Sequence, residues 1–72
     1  MKFNYYPETD SLYIDLSSRT SIRSEVVSEG VVLDYDEEGR LVGIDIDNAS
    51  NKVDLNDFSF SKIPFIEPAV TD

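Results

Sequence analysis

The acidic run at residues 34–39 carries the side chains best suited to chemistry in this sequence. Its carboxylates, Asp34, Asp36 and Glu38, alternate along the chain, and Gly39 follows them. Calcium loops use this spacing, because a hard cation needs several oxygen ligands held by one sharp turn that a glycine permits. One prediction is therefore a module that binds calcium or magnesium at this acidic turn.

The residues around this run favour a β-hairpin tip over a calcium loop. Calcium loops lie between two helices, whereas residues 31–33 and 42–44 have the composition of strands. The twelfth loop position holds Asp45, which is shorter than the glutamate that binds calcium through both oxygens. The preferred interpretation is a solvated hairpin turn in which Arg40 pairs with Asp36, with no metal or other cofactor.

Catalytic side chains are scarce. The sequence has no histidine and no cysteine, which removes the commonest general base, thiol nucleophiles, disulfides and thiolate metal sites. Serine and threonine are plentiful, but only Lys2, Lys52 and Lys62 remain to activate them. A pair of catalytic carboxylates needs a cleft, for which so short a chain has little room. We therefore predict that the chain is not an enzyme.

The charge balance favours a protein partner. Fifteen acidic and six basic residues give a formal net charge of −9. Phosphate backbones and anionic membrane surfaces repel such a chain, whereas a small basic protein is attracted to it. The sequence shows no signal-peptide pattern and no apolar run approaching the roughly 20 residues that span a bilayer. We therefore expect a cytoplasmic location, no direct nucleic-acid binding and no membrane.

The length of the chain predicts self-association. A domain of 72 residues buries only about 60% of the surface that its unfolded chain exposes. Small scaffolds usually gain further stability from disulfides, a structural metal or a partner chain. Since the sequence disfavours the first two, we expect a homo-oligomer, at least a dimer.

Period-two patterning predicts about five short strands. They are expected at residues 2–6, 12–17, 22–28, 31–35 and 41–46. A short helix is expected to begin near Ala49 and to extend no further than Asp57. The predicted fold over residues 1–57 is mainly β, on the border of α+β: an antiparallel meander with a short C-terminal helix, followed by an extended tail.

Uninterrupted pairing across the 36–39 turn sets Leu33 opposite Gly43 and leaves both faces of this hairpin partly apolar. The two sets are Val31, Leu33, Tyr35 and Leu41 on one face, and Val32, Val42, Ile44 and Ile46 on the other. Because a single sheet covers neither of its own faces, another part of the chain or a partner must cover one.

Residues 58–72 form an apolar arm that contains Pro64 and Pro68. These prolines forbid a regular helix and favour an extended conformation. Such an arm folds back on its own sheet, wraps a second subunit or lies in the groove of another partner, unless it is simply disordered. The predicted partner-binding residues are Tyr6, Phe58, Phe60, Phe65 and Ile66.

Four segments form an ordered set of motifs: residues 6–14 (YPETDSLYI), 30–36 (GVVLDYD), 39–44 (GRLVGI) and 47–50 (DNAS). Together they resemble a small bacterial family catalogued as domain of unknown function 2283. The resemblance implies a compact antiparallel β domain with a short C-terminal helix and carries over no catalytic or ligand residues. Members are often encoded beside small proteins that resemble ribonuclease-like toxins, which implies an antitoxin role for some of them.

The sequence as a whole predicts a small acidic protein-interaction domain. It would self-associate and bind a small basic partner in an antitoxin-like role, with an acidic sheet imitating the charge of nucleic acid. Divalent-cation binding at residues 34–39 is the alternative.

Overall fold

Five strands pair in one antiparallel sheet. The computed structural model describes residues 1–64. The predicted mainly β class with five antiparallel strands is confirmed. The strands are β1 (Lys2–Tyr6), β2 (Ser11–Asp15), β3 (Arg23–Ser28), β4 (Val31–Tyr35) and β5 (Leu41–Asp47).

The short helix expected after the sheet is a single 3-10 turn, Ala49–Asn51. Asn48 precedes it in the left-handed conformation, and the Asn48 side chain caps none of the free N–H groups of the turn. Without that cap and without an apolar stripe at helical spacing, the turn does not propagate. Within residues 1–64 the structure has no helix long and apolar enough to cross a membrane.

The strand order is β1-β2-β5-β4-β3, which differs from a simple meander. Residues 16–22 carry the chain from β2 to the far edge of the sheet, where β3 begins. The strands β3, β4 and β5 then return towards β2. All five residues of β2 pair with β5. As a result β5 is the central strand, while β1 and β3 are the two edges.

A β-bulge at Val42 breaks the pairing expected for the last hairpin. Tyr35 lies opposite Leu41, but the next residue back, Asp34, lies opposite Gly43, so that Val42 is an extra residue in β5. Since side chains alternate with a period of two, this shift of one residue exchanges the two faces of β5 relative to β4. The predicted division of the hairpin into two partly apolar faces is therefore wrong, because it assumed uninterrupted pairing.

The bulge sorts the sheet into an apolar face and an acidic face. Register-paired residues share a face, and two rows of such pairs cross β1, β2, β5 and β4. The apolar face consists of Phe3, Tyr5, Leu12, Ile14, Val31, Leu33, Ile44 and Ile46. The other face, which we call the acidic face, carries Asn4, Tyr13, Asp15, Asp34, Asp45 and Asp47, together with Lys2 and Val32.

Tyr13 crosses the acidic face and connects three strands. Its hydroxyl donates a hydrogen bond of 2.9 Å to Asp34 Oδ2, and Asp34 Oδ1 accepts another of 2.7 Å from Ser24 Oγ. The phenol passes over Gly43, where a Cβ atom would overlap the Tyr13 hydroxyl. Burial, together with the hydrogen bond to Asp34, raises the pKa of Tyr13 to about 12. A glycine in the central strand thus makes room for the contact that joins β2, β4 and β3.

We predict that Gly43→Ala destabilises the fold by about 2–4 kcal/mol, because the added methyl group displaces the Tyr13 phenol and breaks its hydrogen bond to Asp34. Urea unfolding followed by circular dichroism measures the loss. Gly39→Ala is the matched control, since Gly39 has a positive φ of 81° but no atom within 4 Å of its added Cβ. It should cost about 1 kcal/mol. Equal losses for the two variants would contradict this account of Gly43.

Candidate functional site

The apolar face is partly covered by the chain that follows the 3-10 turn. We call residues 53–58 the cover segment. Its side chains Val53, Leu55 and Phe58 stand over β1, β2 and the end of β5, and between segment and sheet lies a groove of ≈ 490 Å³. The floor of the groove consists of Phe3, Tyr5, Leu12, Ile14 and Ile46.

Aromatic rings extend from the groove towards the C-terminus. The rings of Phe3 and Phe58 meet edge to face with their centroids 4.8 Å apart, and Phe58 meets Phe60 in the same way at 5.1 Å. An edge-to-face pair contributes roughly 0.5–1.5 kcal/mol beyond its burial. Phe58 and Phe60 nevertheless remain 61% and 52% exposed. The rings are therefore positioned by one another while most of their surface stays open.

The structure separates the predicted partner-binding residues. Phe58 and Phe60 lie together beside the groove. Tyr6 follows Tyr5 in β1 and points to the opposite face of the sheet, so it does not join them. Phe65 and Ile66 lie outside the described residues. Sequence patterning does not single out Phe3, Val53 or Leu55, because their role depends on a contact between β1 and the cover segment, which are distant in sequence.

Two carboxylates make the groove acidic. Asp54 and Asp57 line it beside the cover segment's apolar side chains. The backbone N–H of Asp57 donates to the Asp54 carbonyl oxygen at 3.2 Å, and this turn holds the two residues near each other. Within the described chain the groove lining includes no lysine or arginine. The groove can therefore accept apolar side chains on its floor and cationic groups along its wall.

Asp10 attaches the start of the cover segment to the β1–β2 turn. Its carbonyl oxygen accepts a hydrogen bond of 2.9 Å from the Ala49 N–H. Its carboxylate accepts bonds from the Ser50 hydroxyl at 2.7 Å and from the Tyr5 hydroxyl at 2.8 Å. The bonds from Ser50, followed by that from Tyr5, lower the pKa of Asp10. Asp10 thus determines where the chain leaves β5, and through it the position of the cover segment.

The acidic turn at residues 34–39 is organised around Asp36, which is only 5% exposed. Its Oδ1 accepts bonds from the backbone N–H groups of Glu38 and Arg40, at 2.9 and 2.8 Å. Its Oδ2 accepts bonds from the Nε atoms of Arg19 and Arg40, at 2.8 and 3.0 Å. Arg40 pairs with Asp36 as expected. Asp36 itself was expected to be solvated at the hairpin tip, but it is buried and fully hydrogen-bonded.

This arrangement separates the three residues considered as cation ligands. Asp34 accepts bonds from Tyr13 and Ser24, Asp36 is bound by two arginines, and Glu38 pairs with Arg40 at 2.6 Å. Across residues 1–64 no three acidic side chains come together in a geometry that would hold a metal ion. In the structure the turn serves as a closed set of hydrogen bonds that fixes the β4–β5 hairpin.

Comparison with protein-family models identifies a family for most of the chain. The family model described as "Protein of unknown function (DUF2283)" matches residues 2–50. This span contains all five strands and most of the 3-10 turn, and it ends before the cover segment. Neither the curated proteins nor the solved structures yield a match to this chain.

The hydrogen bonds of Asp36 predict an acid-sensitive contribution to stability. Burial by itself would raise the pKa of Asp36, but the bonds from Arg40 and Glu38 outweigh it and hold the pKa below the ordinary value of 3.8. A carboxylate with a lowered folded-state pKa stabilises the fold above its unfolded-state pKa, and that contribution is lost as the pH falls through the folded value. We therefore expect Asp36→Asn to be clearly less stable than wild type at pH 7, with the difference shrinking below about pH 4.

Urea unfolding of both proteins from pH 7 down to pH 2 measures this difference. Glu37→Gln is the matched control, since Glu37 is an exposed residue of the same turn, and it should follow the wild-type curve. A difference between wild type and Asp36→Asn that stays constant across the range would show that ionised Asp36 contributes no stability.

Proposed function

The chain belongs to the DUF2283 family, and we propose that it is a protein-interaction domain whose groove binds a basic, amphipathic segment of a partner protein. The observation that carries the proposal is the groove itself, which combines an apolar floor with the carboxylates of Asp54 and Asp57. An amphipathic segment places apolar anchors and cationic side chains on matching sides, as such a groove requires. The proposed role includes no catalytic step.

The amount of open apolar surface supports a partner. Only Leu12, Val42 and Ala49 are buried apolar residues within residues 1–64. Around the groove Phe3, Leu55 and Phe58 remain 41%, 40% and 61% exposed, which gives a contiguous patch of the type that marks interaction sites. Covering this patch would supply the apolar burial that the small domain lacks.

The charge of the chain supports a basic partner. The formal net charge is −9, and four carboxylates stand on the acidic face. No ion pair among the described residues involves any of these four: Asp15, Asp34, Asp45 and Asp47. Burial, followed by the nearby charges of Asp47 and Asp34, raises the pKa of Asp45, as expected where negative charges accumulate. Such a field accelerates the approach of a cationic protein.

A small basic ribonuclease-like toxin is the specific partner class that the family resemblance implies. In this form of the proposal, the groove binds apolar side chains of the toxin. The carboxylates of the chain then cover the toxin surface that otherwise binds RNA phosphates. The proposed location is the cytoplasm, where such a partner would act on RNA.

A labelled helical peptide of lysine and leucine, arranged to be amphipathic, tests the groove directly by fluorescence anisotropy. We expect it to bind, and a peptide with the same residues in a non-amphipathic order to bind much more weakly. The double variant Asp54→Asn/Asp57→Asn should weaken binding by about fivefold to tenfold, at roughly 0.5–0.7 kcal/mol for each exposed charge.

The matched control is Glu37→Gln/Glu38→Gln, which changes the net charge by the same amount at the distant β4–β5 turn. It should leave the affinity within about twofold of wild type. Equal weakening by the two double variants would show that the peptide senses only the overall charge, and the assignment of the groove would fail. Equal binding of the two peptides would also contradict it.

A further inference from the structure

The edge strand β3 is unusually open. All six of its residues are exposed, and it ends the strand order, so one side of its backbone faces no other strand within residues 1–64. Ile22, which directly precedes β3, is 62% exposed, and Val26 is 71% exposed. An open edge with unpaired N–H and C=O groups and apolar side chains is a template for pairing with another strand.

We propose that β3 pairs with β3 of a second copy of this chain. The two strands run antiparallel about a two-fold axis at Ser24, so the two sheets join into one. The proposal goes beyond the binding of a basic partner, since it uses the edge of the sheet opposite to β1. Both grooves would stay open in the dimer.

A β-bulge limits the length of edge that can pair. The register between β3 and β4 shifts between Val26 and Ser28, and such a shift bends the strand away from a neighbour. The backbone N–H of Ile22 donates to the Tyr35 carbonyl oxygen at 2.9 Å, so the chain already lies beside β4 at Ile22, one residue before β3 begins. The usable edge therefore runs over residues 22–26, whose midpoint is Ser24.

Pairing about Ser24 makes this edge complementary to itself. Arg23 lies opposite Glu25 of the second copy, and the two-fold axis produces this pair twice. Ile22 lies opposite Val26 of the second copy, again twice. Opposite charges and aliphatic pairs directly across an antiparallel ladder are stabilising, whereas like charges in that position are destabilising.

The charges select this register over its neighbours. Pairing about Glu25 sets the two Glu25 side chains against each other, and pairing about Arg23 does the same for the two arginines. The guanidinium of Arg23 lies 4.5 Å from the centre of the Tyr35 ring, a contact that leaves its charge without a carboxylate partner in the described chain. Among residues 1–64 Arg23 forms no ion pair, so its charge is available to Glu25 of the second copy.

Disulfide trapping tests the register. The chain has no cysteine, so Ser24→Cys introduces a single thiol, and across the proposed axis the two Cα atoms lie within the roughly 4.4–6.8 Å that a disulfide spans. We expect rapid oxidation to a covalent dimer on a non-reducing gel. Ser28→Cys, on the same exposed strand but beyond the bulge, should cross-link at least tenfold more slowly. Equal rates for the two variants would overturn the register.

Sedimentation velocity tests the charges. Wild type should sediment as a dimer at about 100 µM, and either Arg23→Glu or Glu25→Arg should weaken dimerisation at least tenfold. The double variant Arg23→Glu/Glu25→Arg exchanges the charges and should restore the dimer. Circular dichroism confirms that each variant is folded, as expected for exposed side chains. A monomeric wild type, or a double variant no better than the single ones, would overturn the proposal.

Discussion

The bulge at Val42 decides which side chains share a face of the sheet. By adding one residue to β5, it moves Ile44 and Ile46 to the face that carries Val31 and Leu33 and leaves the carboxylates on the other face. An amphipathic sheet follows from it. The apolar face then needs a cover, which residues 53–58 supply over β1, β2 and the end of β5. The acidic face gathers the carboxylates that the proposed basic partner would meet.

The two faces contribute differently to the stability of the fold. The acidic face holds the strands together by side-chain hydrogen bonds, through Tyr13 and Asp34. The apolar face buries little within residues 1–64, since Leu12 is the one buried residue among the eight that form it. A partner that binds only the folded chain would stabilise the fold by mass action, so the proposed binding would be linked to folding. This linkage gives a physical reason for a domain of this size to leave a groove open.

Local patterns predicted the strands but not their arrangement. The alternation of Leu12 and Ile14 and the 36–39 turn suffice to place β2 and the last hairpin. The bulge leaves a weak signal, a glycine inside a strand at Gly43, which is typical of a bulge or a close approach. The pairing of β2 with β5 and the contact of Asp10 with Ser50 join residues distant in sequence, so no local pattern reports them. The groove was missed for the same reason.

Site-specific photo-crosslinking in the cells that encode this chain tests directly whether the groove binds a basic partner. A photoreactive amino acid replaces Leu55 in the groove or, as the control, Glu37 on the distant turn, and mass spectrometry identifies the cross-linked protein. We expect that the photoreactive residue at Leu55 captures a small basic protein at high yield, that the one at Glu37 does not, and that an added lysine–leucine amphipathic peptide competes with the capture. Equal capture from both positions, or capture of acidic proteins, would contradict the claim that the groove binds a basic partner.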